Sequence, residues 1–161
     1  MKIAAICGMS DDKVRARLDP LVEIDSVEQI YLFRRSSFEM KKVKTYSSPK
    51  LLNWSLSLAE VYRFFALFFM CIKEKPDYIY GIYFVPHGIY AAIVGFLLNI
   101  PVIQEIIGTD RLLVTQSKIY QKLLSQAERV GVRGNASRDQ LYELGISREK
   151  MFISVAVNAI D

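Results

Sequence analysis

The chain has 161 residues, 52% of them hydrophobic and 24% charged, enough for one domain with a full core and too apolar for a disordered segment. Its net charge of +4 suits an anionic ligand or a membrane surface without requiring either. With only Cys7, Cys71 and His87 available, a zinc site of the usual kind is strongly disfavoured, and no metal or cofactor is expected.

Residues 2–7 form an apolar run of the kind that is buried on both faces in a parallel sheet, and Gly8 ends it. Ser10 suits the N-cap of a helix with Asp11 and Asp12 in its first turn, running to about Leu18 and stopped by Pro20. Two carboxylates argue against a phosphate held directly on that helix terminus. Neither GxGxxG nor GxxxxGK[ST] follows the strand, which disfavours a dinucleotide fold and a P-loop ATPase.

A second strand is expected over residues 27–33. Residues 34–50, RRSSFEMKKVKTYSSPK, are polar and basic and read as a solvated loop, or as a loop facing an acceptor or a membrane surface. Residues 51–72 suit a long helix. Ser55, Ser57, Glu60 and Arg63 give it a polar side at first, and FFALFFMCI is then apolar all round. A helix without a polar face is expected to be buried against the sheet, with partial membrane contact as the alternative. Lys73 and Lys75 fit its C-terminal end and Pro76 closes it. That apolar stretch is well short of the roughly 20 residues of a membrane span. The expected location is the cytoplasm, with peripheral contact at the inner face of the membrane as an option.

The centre of the chain is PDYIYGIYFVPHGIYAAIVGFLLNIPVIQEIIGTD, residues 76–110. It reads as a third strand over 78–85, a helix opened by Pro86-His87-Gly88, and a fourth strand over 102–107 that ends in Gly108-Thr109-Asp110. This is a βαβ crossover. Gly88, Ala91, Ala92 and Gly95 are small enough for the helix to lie close to the sheet, and Asn99 and Pro101 end it. Residues 111–127 suit a loop and a helix carrying Ile119, Leu123 and Leu124. Residues 129–132 suit a fifth strand and 134–137 a turn. Ser137 with Gln140 matches a capping box, Gly145 a C′ glycine, and residues 151–157 a sixth strand. The reading is one Rossmann-like domain over 1–161: an α/β, doubly wound parallel sheet of about six strands with helices on both faces.

In such sheets ligands bind at the C-terminal strand ends. There His87, at a helix N-terminus, should be neutral and could act as a base toward a hydroxyl or donate to a phosphate; a packing or capping role is the alternative. Asp110 could bind sugar hydroxyls or act as a base, or cap the next helix. Gly8 could admit a diphosphate to the backbone, or simply turn the chain. Arg133 and Asn135 lie at a further strand end, whereas Ser137 is better explained as a cap.

The segment KPDYIYGIYFVPHGIYAAIVGFLLNIPVIQEIIGTD, followed by AERVGVRGNASRDQLYELGISREKMFISVAVNAID, resembles the N-terminal domain of a GT-B glycosyltransferase of the family 4 type. The resemblance covers most of the chain. It implies half of an enzyme, from a truncation or a split pair, inactive by itself and completed by a C-terminal GT-B domain that holds a nucleotide-sugar donor. It also implies a glycan or lipid-linked acceptor on this half, no metal, and no nucleic-acid partner. Gly108 and Thr109 belong to its Gly-x-Asp strand end and join the substrate-binding candidates. Relatives often carry a histidine where this chain has Gly81 or Tyr83, and His-Gly-x-Asp where it has Ile107-Gly108-Thr109-Asp110. The alternative is a non-catalytic α/β ligand-binding or interaction domain, which a large exposed apolar patch over residues 64–72 would favour. A phospho-acceptor module is disfavoured because the third strand ends in Val85-Pro86 rather than in an aspartate.

Overall fold

The computed structural model describes residues 1–52 and 54–154. Its strands are β1 (Lys2–Ile6), β2 (Gln29–Arg34), β3 (Val43–Ser47), β4 (Tyr78–Ile82), β5 (Val102–Glu105), β6 (Arg129–Val132) and β7 (Met151–Ile153). All pair in parallel in the order β3-β2-β1-β4-β5-β6-β7. The helices are α1 (Asp11–Val22), α2 (Leu56–Glu74), α3 (Ile89–Leu98), α4 (Asp110–Gln116), α5 (Lys118–Ser125) and α6 (Asn135–Glu143). One core cluster joins α1 residues Val14, Leu18 and Val22 to Ala5, Ile30 and Leu32 of the sheet. A second joins Leu67 and Met70 of α2 and Ala91 and Val94 of α3 to Ala4, Ile6 and Phe33, which alternate with the first set. Helices therefore cover both faces, as the doubly wound reading requires.

The sheet has seven strands instead of about six. The additional one, β3, lies inside the segment read as a solvated loop. It pairs with β2 through residues such as Leu32 with Thr45 and Phe33 with Tyr46. No helix joins β2 to β3. Buried Phe38 takes the helix's place in the core, and its carbonyl accepts from Thr45 Oγ1 at 2.6 Å. An edge strand with one solvated side tolerates lysines, which is why its composition reads as loop.

Other boundaries also move. Pro20 lies within α1, exposed in its last turn, and the helix continues to bring Val22 into the core. α2 begins only at Leu56, capped by Ser55, whose side chain accepts from the Leu58 N–H. β4 stops at Ile82 and β5 at Glu105, each short of its expected end. α6 begins at Asn135, so Ser137 falls inside the helix and forms no capping box. Gly145 does end that helix, with φ +89; its N–H reaches Tyr142 O at 2.9 Å and Ile146 N–H reaches Leu141 O at 3.1 Å, a Schellman pattern. Residues 155–161, which hold the rest of the sixth expected strand and the Asn-x-x-Asp end, lie outside the described residues.

The apolar half of α2 is not buried all round. Leu67, Met70 and Cys71 face the sheet, but Leu58, Val61, Phe65, Phe69 and Ile72 are exposed, Phe69 to 63%. Their spacing of three and four residues places them in one row along the helix. α3, by contrast, lies close to the sheet as expected. A Cβ at Gly95 would strike Val102 and meet the Ile100 carbonyl at 2.8 Å; one at Gly81 would meet Gly88 Cα at 2.8 Å. We expect Gly95→Ala to destabilise the chain by about 1–3 kcal/mol, the usual cost of overpacking. Urea unfolding measures this, and an unchanged midpoint would show that α3 can move away freely.

Candidate functional site

The strand order reverses direction at β1 and β4: the chain leaves β1 toward α1 on one face and β4 toward α3 on the other. A crevice at the C-terminal strand ends is expected at such a switch point. One opens there, about 950 Å³ in volume, over the ends of β1, β2 and β3 and beside α2. Gly8 and His87 line it together with Arg34, Ser48, Glu60 and Arg63.

His87 reaches the crevice from a wide turn, Phe84–Gly88, in which the Gly88 N–H bonds back to Tyr83 O at 2.9 Å. Tyr83 holds φ +66, a conformation a bulky residue adopts only under constraint. The constraint is Asp110. Its carboxylate accepts from Phe84 N–H at 2.6 Å and from the Val85 and Ile107 N–H groups at 3.4 Å each. Asp110 is 4% exposed, and burial pushes its carboxyl above the usual range against the pull of those three donors. It braces the turn, and it is not among the side chains that line the crevice.

The His87 imidazole is buried against Gly8, where an added Cβ would come within 2.7 Å of its Cε1. Arg63 Nη1 lies 3.0 Å from His87 Nε2. A guanidinium can only donate, so Nε2 accepts and the ring proton sits on Nδ1. Burial first, and the Arg63 charge second, pull the imidazole down to about 3. The neutral form expected from the sequence follows, but its cause is packing and a cation rather than the helix terminus. An imidazole held this low is a weak general base near neutral pH.

Arg63 also donates from Nη1 to Cys7 O at 3.3 Å and from Nη2 to Glu60 Oε1. Glu60 Oε2 accepts no hydrogen bond among the described residues and lies 3.8 Å from His87 Nε2. Arg34, at the end of β2, is buried; its Nη2 donates to Met9 O at 3.1 Å and meets Asp11 Oδ1 at 2.7 Å. Sequence reading missed Arg34, Ser48, Glu60 and Arg63. Arg63 was legible only as part of a helix's polar side, because a buried arginine and a surface arginine look alike in sequence.

Of the remaining candidates, Gly108 and Thr109 are exposed just before α4, with Gly108 at φ +60. Arg133 and Asn135 are exposed after β6. None of the four lines this crevice. Among the described residues no three His, Cys, Asp or Glu side chains gather where they could hold a metal ion.

No protein-family model matches the sequence, and no curated protein does. Solved structures match the fold. UDP-GlcNAc 2-epimerase from Neisseria meningitidis, bound to UDP-GlcNAc, aligns with a TM-score of 0.69 at 15% identity over 95% of this chain and 45% of that one. The Methanocaldococcus jannaschii UDP-GlcNAc 2-epimerase gives 0.65 at 16% identity, again over 95% and 45%. The lipopolysaccharide outer core galactosyltransferase WaaB, in its apo form, gives 0.60 at 16% identity over 95% and 45%. The fold is thus a Rossmann-like α/β domain of the kind found in GT-B proteins. The chain spans about 45% of the length of these structures.

Two outcomes test the geometry of the site. The folded pKa of His87, about 3, lies below the unfolded value of 6.5. Between those values the unfolded chain binds more protons, so stability falls as pH drops through that window, by up to about 1.4 kcal/mol per pH unit. His87→Gln keeps an acceptor for Arg63 but cannot protonate, so it should lose less stability between pH 6.5 and 4 than the parent; equal slopes in denaturant titrations would show a freely titrating ring. Asp110→Ala should cost about 2–3 kcal/mol by leaving buried N–H groups without an acceptor, and Asp110→Asn less. A neutral Asp110→Ala would mean that the turn is held by something else.

Proposed function

We propose that the chain is the N-terminal, acceptor-side half of a glycosyltransferase that moves a sugar from a nucleotide-sugar onto a glycan or lipid-linked acceptor. The observation that carries this reading is the polar crevice at the switch point, on a fold shared with a UDP-GlcNAc 2-epimerase and a galactosyltransferase. A second GT-B domain holds the donor and closes over the rim, and the family 4 pattern of the sequence favours transfer. In this reading Gly8 lets the donor diphosphate approach the β1 loop, while Gly108, Thr109, Arg133 and Asn135 serve the same rim from the β5 and β6 side. His87 orients Arg63, Asp110 supports His87, and Glu60 is the carboxylate best placed to take an acceptor proton, since Oε2 accepts no hydrogen bond among the described residues.

The exposed row on α2 supports a membrane-facing acceptor. Leu58, Val61, Phe65, Phe69 and Ile72 form an apolar strip, and Lys73 and Lys75 lie at its end. Such a strip with flanking cations fits the interface of an anionic bilayer. No helix among the described residues is long and apolar enough to cross a membrane.

Joined to its complementary domain and given labelled UDP-sugars with a membrane lipid extract, the protein should transfer label to an acceptor, and Glu60→Gln should lower kcat by about 10²-fold or more. Interconversion of the UDP-sugar without transfer would instead assign an epimerase, the activity named for the Neisseria and Methanocaldococcus proteins. The chain by itself should turn over no nucleotide-sugar. In flotation with phosphatidylglycerol-containing liposomes at low salt, the chain should rise with the lipid and a Phe65→Ser/Phe69→Ser variant should stay behind; a parent chain that stays behind removes the membrane part of the proposal.

A further inference from the structure

The crevice holds more hydrogen-bond donors than the chain satisfies. Arg34 and Arg63 are each only 4% exposed and Ser48 only 5%. Removing cations from water is costly unless their charge and their N–H groups find partners. Here Arg34 Nε and Nη1, Arg63 Nε, Ser48 Oγ and His87 Nδ1 have no partner among the described residues. All but the hydroxyl can only donate, Nδ1 because it carries the ring proton. The carboxylates present do not meet the demand. Asp11 reaches only Arg34 Nη2 and its own side chain is 64% exposed, so water screens it. Glu60 pairs with Arg63 Nη2, and its other oxygen lies 3.8 Å from His87 Nε2, which has no proton to give. One face of the Arg34 guanidinium is covered by Phe38, with its carbon 5.4 Å from the ring centroid, which leaves the donor edge as its polar side. Around this floor the lining adds the exposed Lys50, Ser36 and Ser37.

The unpaired donors outnumber the one unpaired acceptor beside them, Glu60 Oε2, and the ligand that fits is an oxyanion with several acceptor oxygens. Guanidinium groups match phosphate geometry through paired N–H groups. We propose that this crevice binds a phosphate or diphosphate group of the acceptor, seated on Arg34, Arg63 and Ser48 near the hydroxyl that reacts. This rests on the acceptor-side reading above and narrows the acceptor to a phosphorylated class. Arg34 and Arg63 also touch the β1 loop, through Met9 O and Cys7 O, so the donor diphosphate assigned to that loop is the competing occupant that the test must separate.

The test is binding, so it does not depend on transfer. Isothermal titration of the full chain with sodium pyrophosphate should show one site, with Ser48→Ala weakening it about three- to tenfold and Arg34→Lys more than tenfold. Lys118→Met, far along the chain on α5, should leave it unchanged. Arg34→Lys and Ser48→Ala keep charge or size, so near-parental unfolding curves will separate lost binding from lost folding. Vesicles of phosphatidylcholine with and without phosphatidic acid, tested on the Phe65→Ser/Phe69→Ser background, distinguish the sources. Ser48-dependent binding to the acidic vesicles means a lipid phosphate, and binding of pyrophosphate alone means a soluble one. Three results overturn the proposal: no binding of pyrophosphate or phosphate at millimolar concentration, binding indifferent to Arg34 and Ser48, or UDP competing at the same affinity with the same variant dependence, which would give the site to the donor. Failed transfer with intact pyrophosphate binding would count against the transferase reading and leave this site standing.

Discussion

One buried carboxylate governs the site. Asp110 reaches back across the sheet end to accept from the N–H groups of Phe84 and Val85, and so holds the turn that follows β4. The turn carries His87 into the space above Gly8, and His87 in turn accepts from Arg63 on α2. Three elements distant in sequence are locked by this relay: the end of β1, the entry to α3 and the middle of α2. Each link is specific. A side chain at residue 8 would take the imidazole's place, and a charged imidazole would face a guanidinium at 3.0 Å.

The cationic character of the crevice follows in part from what the fold leaves out. Between β2 and β3 no helix intervenes, so the segment from Arg35 to Lys42 runs from the C-terminal end of β2 back to the start of β3 as a loop with Phe38 in the core. Its first residues, Arg35, Ser36 and Ser37, line the crevice beside Arg34, whereas Lys42 lies at the opposite end of the strands, where its Nζ donates to Val22 O and Ile24 O. α2 then serves two surfaces. Glu60 and Arg63 face the crevice, while Phe65 and Phe69 stand on the outside. A polar crevice and an apolar strip on one helix form a pairing that a simple packing helix would not need.

A second buried carboxylate lies at the end of β5. Glu105 is fully buried, accepts from Arg17 Nε at 2.6 Å and from Tyr80 OH at 3.1 Å, and also receives the Ser154 hydroxyl. Such a pair contributes little net stability, but losing one partner leaves a buried charge, so it couples α1 to the middle of the sheet. It lies apart from the crevice, and its role is architectural.

The doubly wound sheet was legible because its buried strands and small-residue helix carry local signatures: apolar runs at β1, β2, β4 and β5, and Gly88, Ala91 and Gly95 where α3 approaches the sheet. The C′ glycine at Gly145 was legible for the same reason, since φ +89 favours glycine whatever surrounds it. His87 could be placed at the strand ends, since order along the chain places it there. Which groups it meets could not, because hydrogen bonds between β1, α2 and the turn depend on distances across the fold. Local pattern also misread β3, whose lysines reflect an exposed edge, and α2, whose phenylalanines lie outside the core. Residue order alone sets the periodicities, and through them the layers and the rim. That Arg34 and Arg63 are buried, that Asp110 is a brace, and that an apolar helix shows part of its face to solvent emerges only once the chain is folded, since burial and charge pairing belong to the assembled molecule and not to any stretch of it.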